Sequence, residues 1–207
     1  MGIVTIVDSA EELSRRDRKK LETRAALEHA ALTLVAERGL AAVTVEDIAE
    51  AVDVSSRTFF NYFPSKEDAL IGSRQASAGE LCRRLDAVPA QVPVLEALRL
   101  MSRAEAEAVQ EQREQWLLRL KVFEQNPSLL PRLVASGSET ERAVTDAVAH
   151  RAGVAPNTSG YPELVTAAAM AAFRVAMLRW SAAGGRPSLA GLVDEAFDQL
   201  AAGLPNP

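Results

Sequence analysis

Apolar residues recur at intervals of three and four along most of the chain. Near the N-terminus they stand at positions 27, 30, 31, 34 and 35, and near the C-terminus at positions 189, 192, 193, 196, 197, 200 and 204. This spacing places them on one face of an α-helix. The alternation of apolar and polar residues that marks a half-buried strand persists nowhere. The pattern therefore predicts an all-α protein of about nine helices.

Two short helices are predicted in the first third of the chain. Thr44 and Asp47 have the spacing of a capping box, which opens the first of them. The residues DVS form a tight turn, and the second short helix begins near Ser56. It ends before Pro64, because the residue preceding a proline disfavours helical geometry. Two short helices joined by so tight a turn form a helix-turn-helix, whose second helix enters the major groove of DNA.

Longer helices flank this pair. The helix before it covers residues 18–38 and ends at Gly39, a residue typical of helix C-termini. After it, Ser65 and Asp68 repeat the capping spacing and open a helix that is expected to continue to Leu85.

Helices are also predicted in the rest of the chain. One restarts at Val94 after two prolines, and another covers residues 113–125. Asn126 and Pro127 are typical of a helix entry, with Asn as the cap and Pro at the first position. Gly153 ends the helix that they open.

The stretch SSRTFFNYFPSKED, residues 55–68, concentrates aromatic side chains in a chain that is only 5% aromatic. On a helix, Phe59 and Phe63 lie four residues apart and share one face, which we expect to be buried. The phenol of Tyr62 and the ammonium of Lys66 are able to reach a phosphate. Other polar residues that donate to phosphates and base edges point mainly away from that face. They are Ser55, Ser56, Arg57, Thr58 and Asn61.

The span from about residue 24 to residue 70 resembles the DNA-binding domain of the TetR family of transcriptional regulators. The motif TVEDIAEAVDVSSRTFFNYFPSKEDAL carries the resemblance. Asp53 and Arg57 stand where the family usually has glycine, and Phe60 where it commonly has tyrosine. Aspartate tolerates the left-handed geometry of the turn. Phe60 is expected to pack, since it has no hydroxyl to donate.

The resemblance implies a homodimer that represses transcription from a palindromic operator and leaves the DNA when a small-molecule effector binds. Activation is less common in the family. The residues implied as DNA contacts, with the neighbouring Ser55, are Thr44, Ser55, Ser56, Arg57, Thr58, Asn61, Tyr62 and Lys66.

A basic segment precedes this domain. Residues 15–24 hold six basic and two acidic residues, although the whole chain has a net charge of −5. Such a run is often only a solvated helix start. Beside a DNA-binding domain, it is expected to reach phosphates or a minor groove through Arg18 and Lys19. We assign residues 1–17 to a flexible arm, whose removal should weaken DNA binding and its salt dependence.

After the DNA-binding domain, residues 18–66, the segment 67–207 resembles the family in outline as a helical effector-binding and dimerisation domain. This segment also resembles mycofactocin-type regulators, a subgroup that senses acyl-coenzyme A thioesters. The motif RLKVFEQNPSLLPRL and a later RW carry this resemblance. The resemblance implies an apolar effector pocket lined by Trp116, Phe123, Met170, Phe173 and Met177. The same residues also fit an ordinary core.

Arg119 and Arg174 fall within otherwise apolar helix faces. One interpretation is that one of them anchors an anionic effector head. The alternative is that each extends to solvent or pairs with a glutamate.

The last two helices, about 162–183 and 188–203, are rich in alanine, which permits close approach between helices. The resemblance implies that they form a four-helix bundle with a second copy of the chain. The alternative is that they fill the core of a monomer.

Composition argues against other classes of protein. No apolar stretch reaches the roughly 18 residues of a membrane span, and the chain start is a poor leader peptide. A single cysteine, Cys82, precludes an intramolecular disulfide and fits the cytoplasm. We find no metal-ligand spacing, phosphate-binding loop or nucleophile motif, and we expect no metal, cofactor or catalytic residue. Two alternatives stay open, a helical ligand carrier without DNA binding and an all-helical enzyme.

Overall fold

The computed structural model describes residues 15–72, 78–155 and 158–205, and these ranges contain helices and no strand. The helices in chain order are α1 (Arg15–Arg38), α2 (Val45–Glu50), α3 (Ser56–Phe60), α4 (Lys66–Ile71), α5 (Ala78–Ala87), α6 (Val94–Glu111), α7 (Arg113–Gln125), α8 (Leu130–Ala152), α9 (Tyr161–Ala182) and α10 (Leu189–Ala201). Short 3-10 helices, Leu40–Ala42 and Pro127–Leu129, precede α2 and α8. The all-α prediction is confirmed, with ten α-helices in the described ranges instead of about nine.

Three features differ from the sequence-based expectation. α1 begins at Arg15, three residues before its predicted start. The prediction of one long fourth helix is wrong. The backbone of Gly72 has φ +72° and ψ 162°, which ends α4 and leaves α5 as a separate helix. Asn126 does not cap the element after it. Its side-chain Nδ2 donates to the carbonyl of Val122 at 2.7 Å and so closes the end of α7.

Helices α1–α4 surround a cluster of buried apolar side chains, which we call the N-terminal core. Its largest members include Phe59, Phe63, Leu27, Leu32, Ile48 and Leu70. Val122 of α7 and Leu129 of the second 3-10 helix complete the cluster. The N-terminal core therefore includes α4, beyond the expected boundary at residue 66, and it also draws side chains from the segment expected to bind the effector.

A second cluster, the C-terminal core, lies among α5–α10. Trp180 and Phe197 are its largest fully buried members. Nε1 of Trp180 donates to Oε1 of Gln110 at 3.1 Å, which satisfies the polar atom of the buried indole. α6 and α9 both pack against α10, while α5 and α9 pack against α8. The long helices are thus arranged around one apolar interior.

Helix α9 keeps much of its apolar surface outside the C-terminal core. It is long and apolar enough to cross a membrane by length and composition, and only 28% of its most apolar 18-residue window is buried. A single helix of this kind is weak evidence for a membrane span. Its outer face carries a stripe of exposed and half-buried apolar residues with alternating spacings of four and three, namely Leu164, Ala168, Ala171, Val175, Leu178 and Ala182. That spacing is typical of a helix that packs against another helix.

Candidate nucleic-acid interface and effector region

Helix α2 is fixed by the predicted capping box. Oγ1 of Thr44 accepts from the amide of Asp47 at 3.1 Å, and Oδ2 of Asp47 accepts from the amide of Thr44 at 2.8 Å. The hydroxyl of Thr44 also donates to this carboxylate at 2.6 Å. These bonds hold the pKa of Asp47 below its ordinary value of 3.8. The hydroxyl of Thr44, expected to contact DNA, is already engaged in the cap.

The turn between α2 and α3 has the geometry expected from its sequence. Asp53 adopts φ +54°, the left-handed region that aspartate tolerates better than most residues. Ser55 caps α3, since its hydroxyl accepts from the amide of Thr58 at 3.1 Å. The two hydroxyls of Ser55 and Thr58 also lie 2.9 Å apart. The start of α3 is therefore fixed relative to α2.

Helix α3 and the three residues after it separate buried aromatic side chains from exposed polar ones. Phe59 and Phe63 are 0% and 1% exposed, so the prediction that they belong to the core is confirmed. Arg57 and Asn61 are exposed, while Ser56, Thr58 and Tyr62 are half-buried. The expectation for Phe60 is wrong. Its ring meets the ring of Phe59 edge-on at 5.7 Å, but the side chain is 54% exposed.

Lys66, another expected DNA contact, has a structural role. Its ammonium donates to the carbonyls of Leu40 at 2.7 Å and of Val43 at 2.6 Å. Both carbonyls lie in the segment that leads into α2, so Lys66 ties the start of α4 to the start of the helix-turn-helix. Contact between Lys66 and DNA stays a prediction, with one ammonium proton left to make it.

Arg18 and Lys19 are exposed on the first turns of α1. They stand on a helix, which places them on the same rigid element as the N-terminal core. The part of the expected arm at residues 1–14 lies outside the described residues. From residue 15 onward the segment is helical, so the expected flexible arm is wrong for that part.

Arg24 is a residue of this region that the sequence-based reasoning did not single out. Its guanidinium lies over the ring of Phe63, 4.3 Å from the ring centre, and Nη1 donates to the carbonyl of Tyr62 at 3.0 Å. Nε lies 3.5 Å from Oε1 of Glu28, one turn further along α1. The i, i+4 spacing of Arg24 and Glu28 was visible in the sequence, but nothing there indicated the contact with the end of α3.

The residues expected to line an effector pocket fall into different regions. Trp116 is buried in the C-terminal core, and Met170, Phe173 and Met177 of α9 are partly buried against it. The expected position of Phe123 is corrected, because its side chain packs against the N-terminal core and not with the other four residues. The structure thus brings four of the five predicted apolar residues together.

The two arginines that looked alike in the sequence have opposite surroundings. Arg119 is 1% exposed, and its guanidinium pairs with Glu28, with Nη2 3.3 Å from Oε2. Its Nε donates to the carbonyl of Leu70 at 3.1 Å. The pairing alternative therefore describes Arg119. Arg174 is exposed on α9, so the alternative that the side chain extends to solvent describes Arg174.

A cleft of about 500 Å³ lies between α4 and α8, lined by Asp68, Ile71, Gly72, Arg132, Ala135, Ser136, Ser138, Glu139 and Arg142. Nη1 of Arg132 donates to Oγ of Ser65 and to Oδ1 of Asp68, both at 3.0 Å. These bonds attach α8 to the capped start of α4. Sequence reasoning did not predict this cleft, because its two walls are far apart in the chain.

Two family models match this chain. The model of the bacterial regulatory proteins of the tetR family matches residues 27–71, and the model of the MftR C-terminal domain matches residues 92–205. The second match alone spans more than half of the 207 residues. The chain belongs to the TetR family. The resemblance stated from the sequence, including its mycofactocin-type subgroup, is confirmed.

Relatives of this TetR-family protein extend over most of its length. The HTH-type transcriptional regulator TcmR of Streptomyces glaucescens is 32% identical over 173 residues, which cover 80% of this chain and 76% of TcmR. MftR of Mycobacterium tuberculosis is 26% identical over 196 residues, which cover 92% of this chain and 96% of MftR. This chain is therefore a ligand-responsive transcriptional regulator of the helix-turn-helix type.

Solved structures share the TetR-family fold. The fatty acid degradation regulator FadR from Bacillus halodurans has a TM-score of 0.60 at 19% identity and covers 89% of this chain and 97% of its own. FadR from Thermus thermophilus has a TM-score of 0.54 at 24% identity and covers 89% and 96%. At these identities the likeness concerns the fold.

The TetR family consists of transcriptional regulators, a class that is not enzymatic. Residues 15–72, 78–155 and 158–205 contain no cluster of three His, Cys, Asp or Glu side chains able to hold a metal ion. Burial raises the pKa of the Cys82 thiol, and Asp86 and Asp146 add to the shift. A raised pKa keeps the thiol protonated and unreactive at neutral pH.

Proposed function

We propose that this protein is a cytoplasmic homodimeric repressor that binds a palindromic operator through two copies of α3 and is released by an acyl-coenzyme A thioester. The observation that carries the DNA-binding part is the separation of side chains on α3. Phe59 and Phe63 anchor the helix in the N-terminal core, while Arg57 and Asn61 stay exposed. A dimer of such helices reads half-sites about one turn of DNA, or a multiple, apart.

Different side chains of this region are suited to different parts of DNA. Arg57 has the donors for a guanine edge, and Asn61 has the one donor and the one acceptor that an adenine edge requires. The exposed ring of Phe60 is suited to the methyl group of thymine. Contacts to phosphate fall to other polar residues of this region and to the basic start of α1, which are Arg18, Lys19, Ser55, Ser56, Thr58, Tyr62 and Lys66. Thr44 is left out because its hydroxyl donates to Asp47.

The dimer is proposed to form through residues 162–183 and 188–203. Support comes from the exposed apolar stripe of α9, where Leu164, Val175 and Leu178 are 72%, 48% and 63% exposed. A stripe with spacings of four and three buries itself well against a second helix of the same kind. Contact with a second copy explains why a helix apolar enough for a membrane is little buried within one chain.

The effector is proposed to enter among Trp116, Met170, Phe173 and Met177, where methionine side chains can adapt to an apolar chain. The match to the MftR C-terminal domain motivates this choice. Two FadR proteins of the same fold are described in complex with acyl thioesters, lauroyl-CoA in Thermus thermophilus and stearoyl-CoA in Bacillus subtilis. For release of DNA, the thioester must bind the conformation that does not fit the operator more tightly.

The DNA-binding part is tested with a duplex selected from random sequence by the purified protein. Affinity for this duplex should fall steeply with salt, because Lys and Arg contacts release counterions. The R57A variant should bind about 5–100-fold more weakly, the loss expected for one good base contact. R83A removes an arginine that is 72% exposed on α5 and serves as the matched control. Equal loss in both variants would place the binding surface elsewhere.

The effector part is tested separately, with lauroyl-CoA and with free coenzyme A as its control. Lauroyl-CoA should raise the melting temperature and release the selected duplex, since a ligand stabilises the state that binds it. Coenzyme A without the acyl chain should do neither. If no acyl thioester between C8 and C18 has either effect, the thioester proposal is wrong, while DNA binding through α3 is unaffected.

A further inference from the structure

A buried carboxylate on α1 lies between two arginines from different parts of the molecule. The side chains of Glu28 and Arg119 are both 1% exposed, and their Oε2 and Nη2 atoms lie 3.3 Å apart. The other oxygen of Glu28 lies 3.5 Å from Nε of Arg24. A buried carboxylate needs such partners, because removing its charge from water is costly. Glu28 therefore depends on both arginines staying in place.

Arg24 links this carboxylate to the end of the recognition helix. Its guanidinium covers the ring of Phe63 and donates to the carbonyl of Tyr62. Both residues follow directly after Asn61, which closes α3. The place of Arg24 therefore fixes the chain that leaves α3, and with it the direction in which the exposed side chains of α3 point.

Arg119 links the same carboxylate to α4 and to the C-terminal core. Its Nε donates to the carbonyl of Leu70 near the end of α4, and its guanidinium carbon lies 5.1 Å from the centre of the Trp116 ring. Trp116 belongs to the C-terminal core. A Cβ on Gly72 would collide with Nη2 of Arg119 and lie 3.0 Å from Oε2 of Glu28, so the backbone closely encloses the ion pair.

We propose that Glu28 is a positioning residue for DNA recognition. Its carboxylate joins Arg24, which holds the end of α3, to Arg119, which holds α7, so that a shift of α7 changes the setting of the recognition helix. The proposal rests on DNA binding through α3 and is independent of the identity of the effector. A displaced Arg119 would take one partner away from a buried carboxylate, and this penalty disfavours intermediate arrangements. The ion pair thus converts movement of α7 into a discrete change at α3.

Coupling between two sites is reciprocal, so DNA binding at α3 must change the surroundings of Trp116. The experiment labels both tryptophans with 5-fluorotryptophan and assigns the ¹⁹F resonance of Trp116 with the W180F variant. Full-length protein is then titrated with the selected duplex and with a scrambled duplex. In the wild type, the selected duplex should shift the Trp116 resonance and the scrambled duplex should not.

Substitution at Glu28 should break this link. E28Q keeps the shape of the side chain but removes its charge, and it should lose most of the resonance shift and bind the selected duplex about tenfold more weakly. The matched control is E105Q. Glu105 is also a buried carboxylate, paired with Arg84 at 2.7 Å, but both residues lie outside the N-terminal core. E105Q should keep the resonance shift and the affinity of the wild type.

A second variant separates positioning from simple stabilisation. E28M/R119M replaces the ion pair by apolar side chains of similar length, a change that is often neutral or stabilising for the fold. It should keep the melting temperature within a few degrees, yet still lack the resonance shift and bind weakly. If the double variant does not fold, the comparison of E28Q with E105Q decides.

Three outcomes would overturn the proposal. In the first, E28M/R119M responds to the duplex as the wild type does, which gives the pair a purely structural role. In the second, the duplex binds but the wild-type Trp116 resonance does not move. In the third, E28Q and E105Q behave alike. A wild-type protein that binds no duplex at all rejects DNA binding through α3 as well, and it is recognised before any variant is made.

Discussion

The N-terminal and C-terminal cores of this regulator are held together in different ways. α2, α3 and α4 have only five or six residues each, far fewer than an isolated helix needs. Each is preceded by a capping residue whose side chain accepts from a backbone amide, namely Thr44, Ser55 and Ser65. α6, α7, α8 and α9 have 13 to 23 residues, and the residues at their starts make no such side-chain bond.

This difference indicates where the loss of a single hydrogen bond should change the structure most. A short helix gains little from its own backbone bonds, so one hydroxyl decides whether it begins at the right residue. A long helix is stabilised by the packing of its apolar face, so it responds to changes in volume. The residues proposed to read DNA stand on the part held by individual hydrogen bonds, and the proposed effector residues stand on the part held by packing.

The largest effects are expected when each core loses its central phenylalanine. Phe59 and Phe197 are 0% and 1% exposed, and replacing either with alanine should cost about 3–5 kcal/mol of stability. Urea denaturation measures both losses. Under conditions where the variants are folded, F59A should also lose affinity for the selected duplex, while F197A should keep it. Equal affinities of F59A and F197A for the duplex would mean that DNA binding does not depend on the N-terminal core more than on the C-terminal core.

A glycine on each side of the comparison should give effects of opposite sign. Ala at Gly72 meets both a φ of +72° and the guanidinium of Arg119, so G72A should cost about 1–3 kcal/mol. Gly137 lies within α8, with nothing within 4 Å of a Cβ placed there. G137A should therefore stabilise by about 0.8–1 kcal/mol, the difference in helix propensity. Thermal unfolding measures both, and a stable G72A would show that Arg119 is free to move.

Loss of a cap should separate stability from recognition. Ser55 caps the five-residue α3 and Ser188 caps the 13-residue α10, each by accepting from an amide at 3.1 Å. S55A and S188A should each cost about 1 kcal/mol. Only S55A should also weaken binding to the selected duplex, because α3 has no other turns to keep its register. Operator affinity that is unchanged in S55A would contradict the role given to local bonds.

The same contrast explains how much of the structure could be predicted from the sequence. The capping box at Thr44, the left-handed turn at Asp53 and the buried pair Phe59 and Phe63 all depend on neighbours within four residues. Relations between such close neighbours can be inferred directly from the sequence. The bounds 113–125 of α7 were predicted for the same reason, since apolar spacing is local.

Relations between distant segments could not be predicted in this way. Arg119 and Arg174 have similar apolar neighbours in the sequence, but 91 residues separate Arg119 from Glu28, its partner. Phe123 follows Trp116 at helical spacing, yet α7 runs from one core into the other, so the two rings lie in different clusters. The contact of Arg132 with Asp68 likewise joins two helices 64 residues apart.

The smallest expected effect is a change in folding stability at acidic pH. Bonds from the hydroxyl and the amide of Thr44 hold the pKa of Asp47 below its ordinary 3.8. An unfolded chain therefore takes up this proton at a higher pH than the folded one. The capping box contributes its stability fully above the unfolded pKa, and the contribution is lost as the pH falls through the lower pKa of the folded state.

D47N keeps the shape of the side chain and removes its titration. The stability difference between wild type and D47N should therefore shrink on acidification from about pH 5.5 to about pH 3, as urea denaturation at both values would measure. D146N, which changes an exposed aspartate of α8, is the control substitution. A wild-type advantage over D47N that stays constant across this range would mean that the cap does not depend on a charged carboxylate. The start of α2 would then depend on the bond from the amide of Asp47 to Oγ1 of Thr44, which involves no carboxylate, and the contrast between the two cores would still rest on the hydroxyls of Thr44, Ser55 and Ser65.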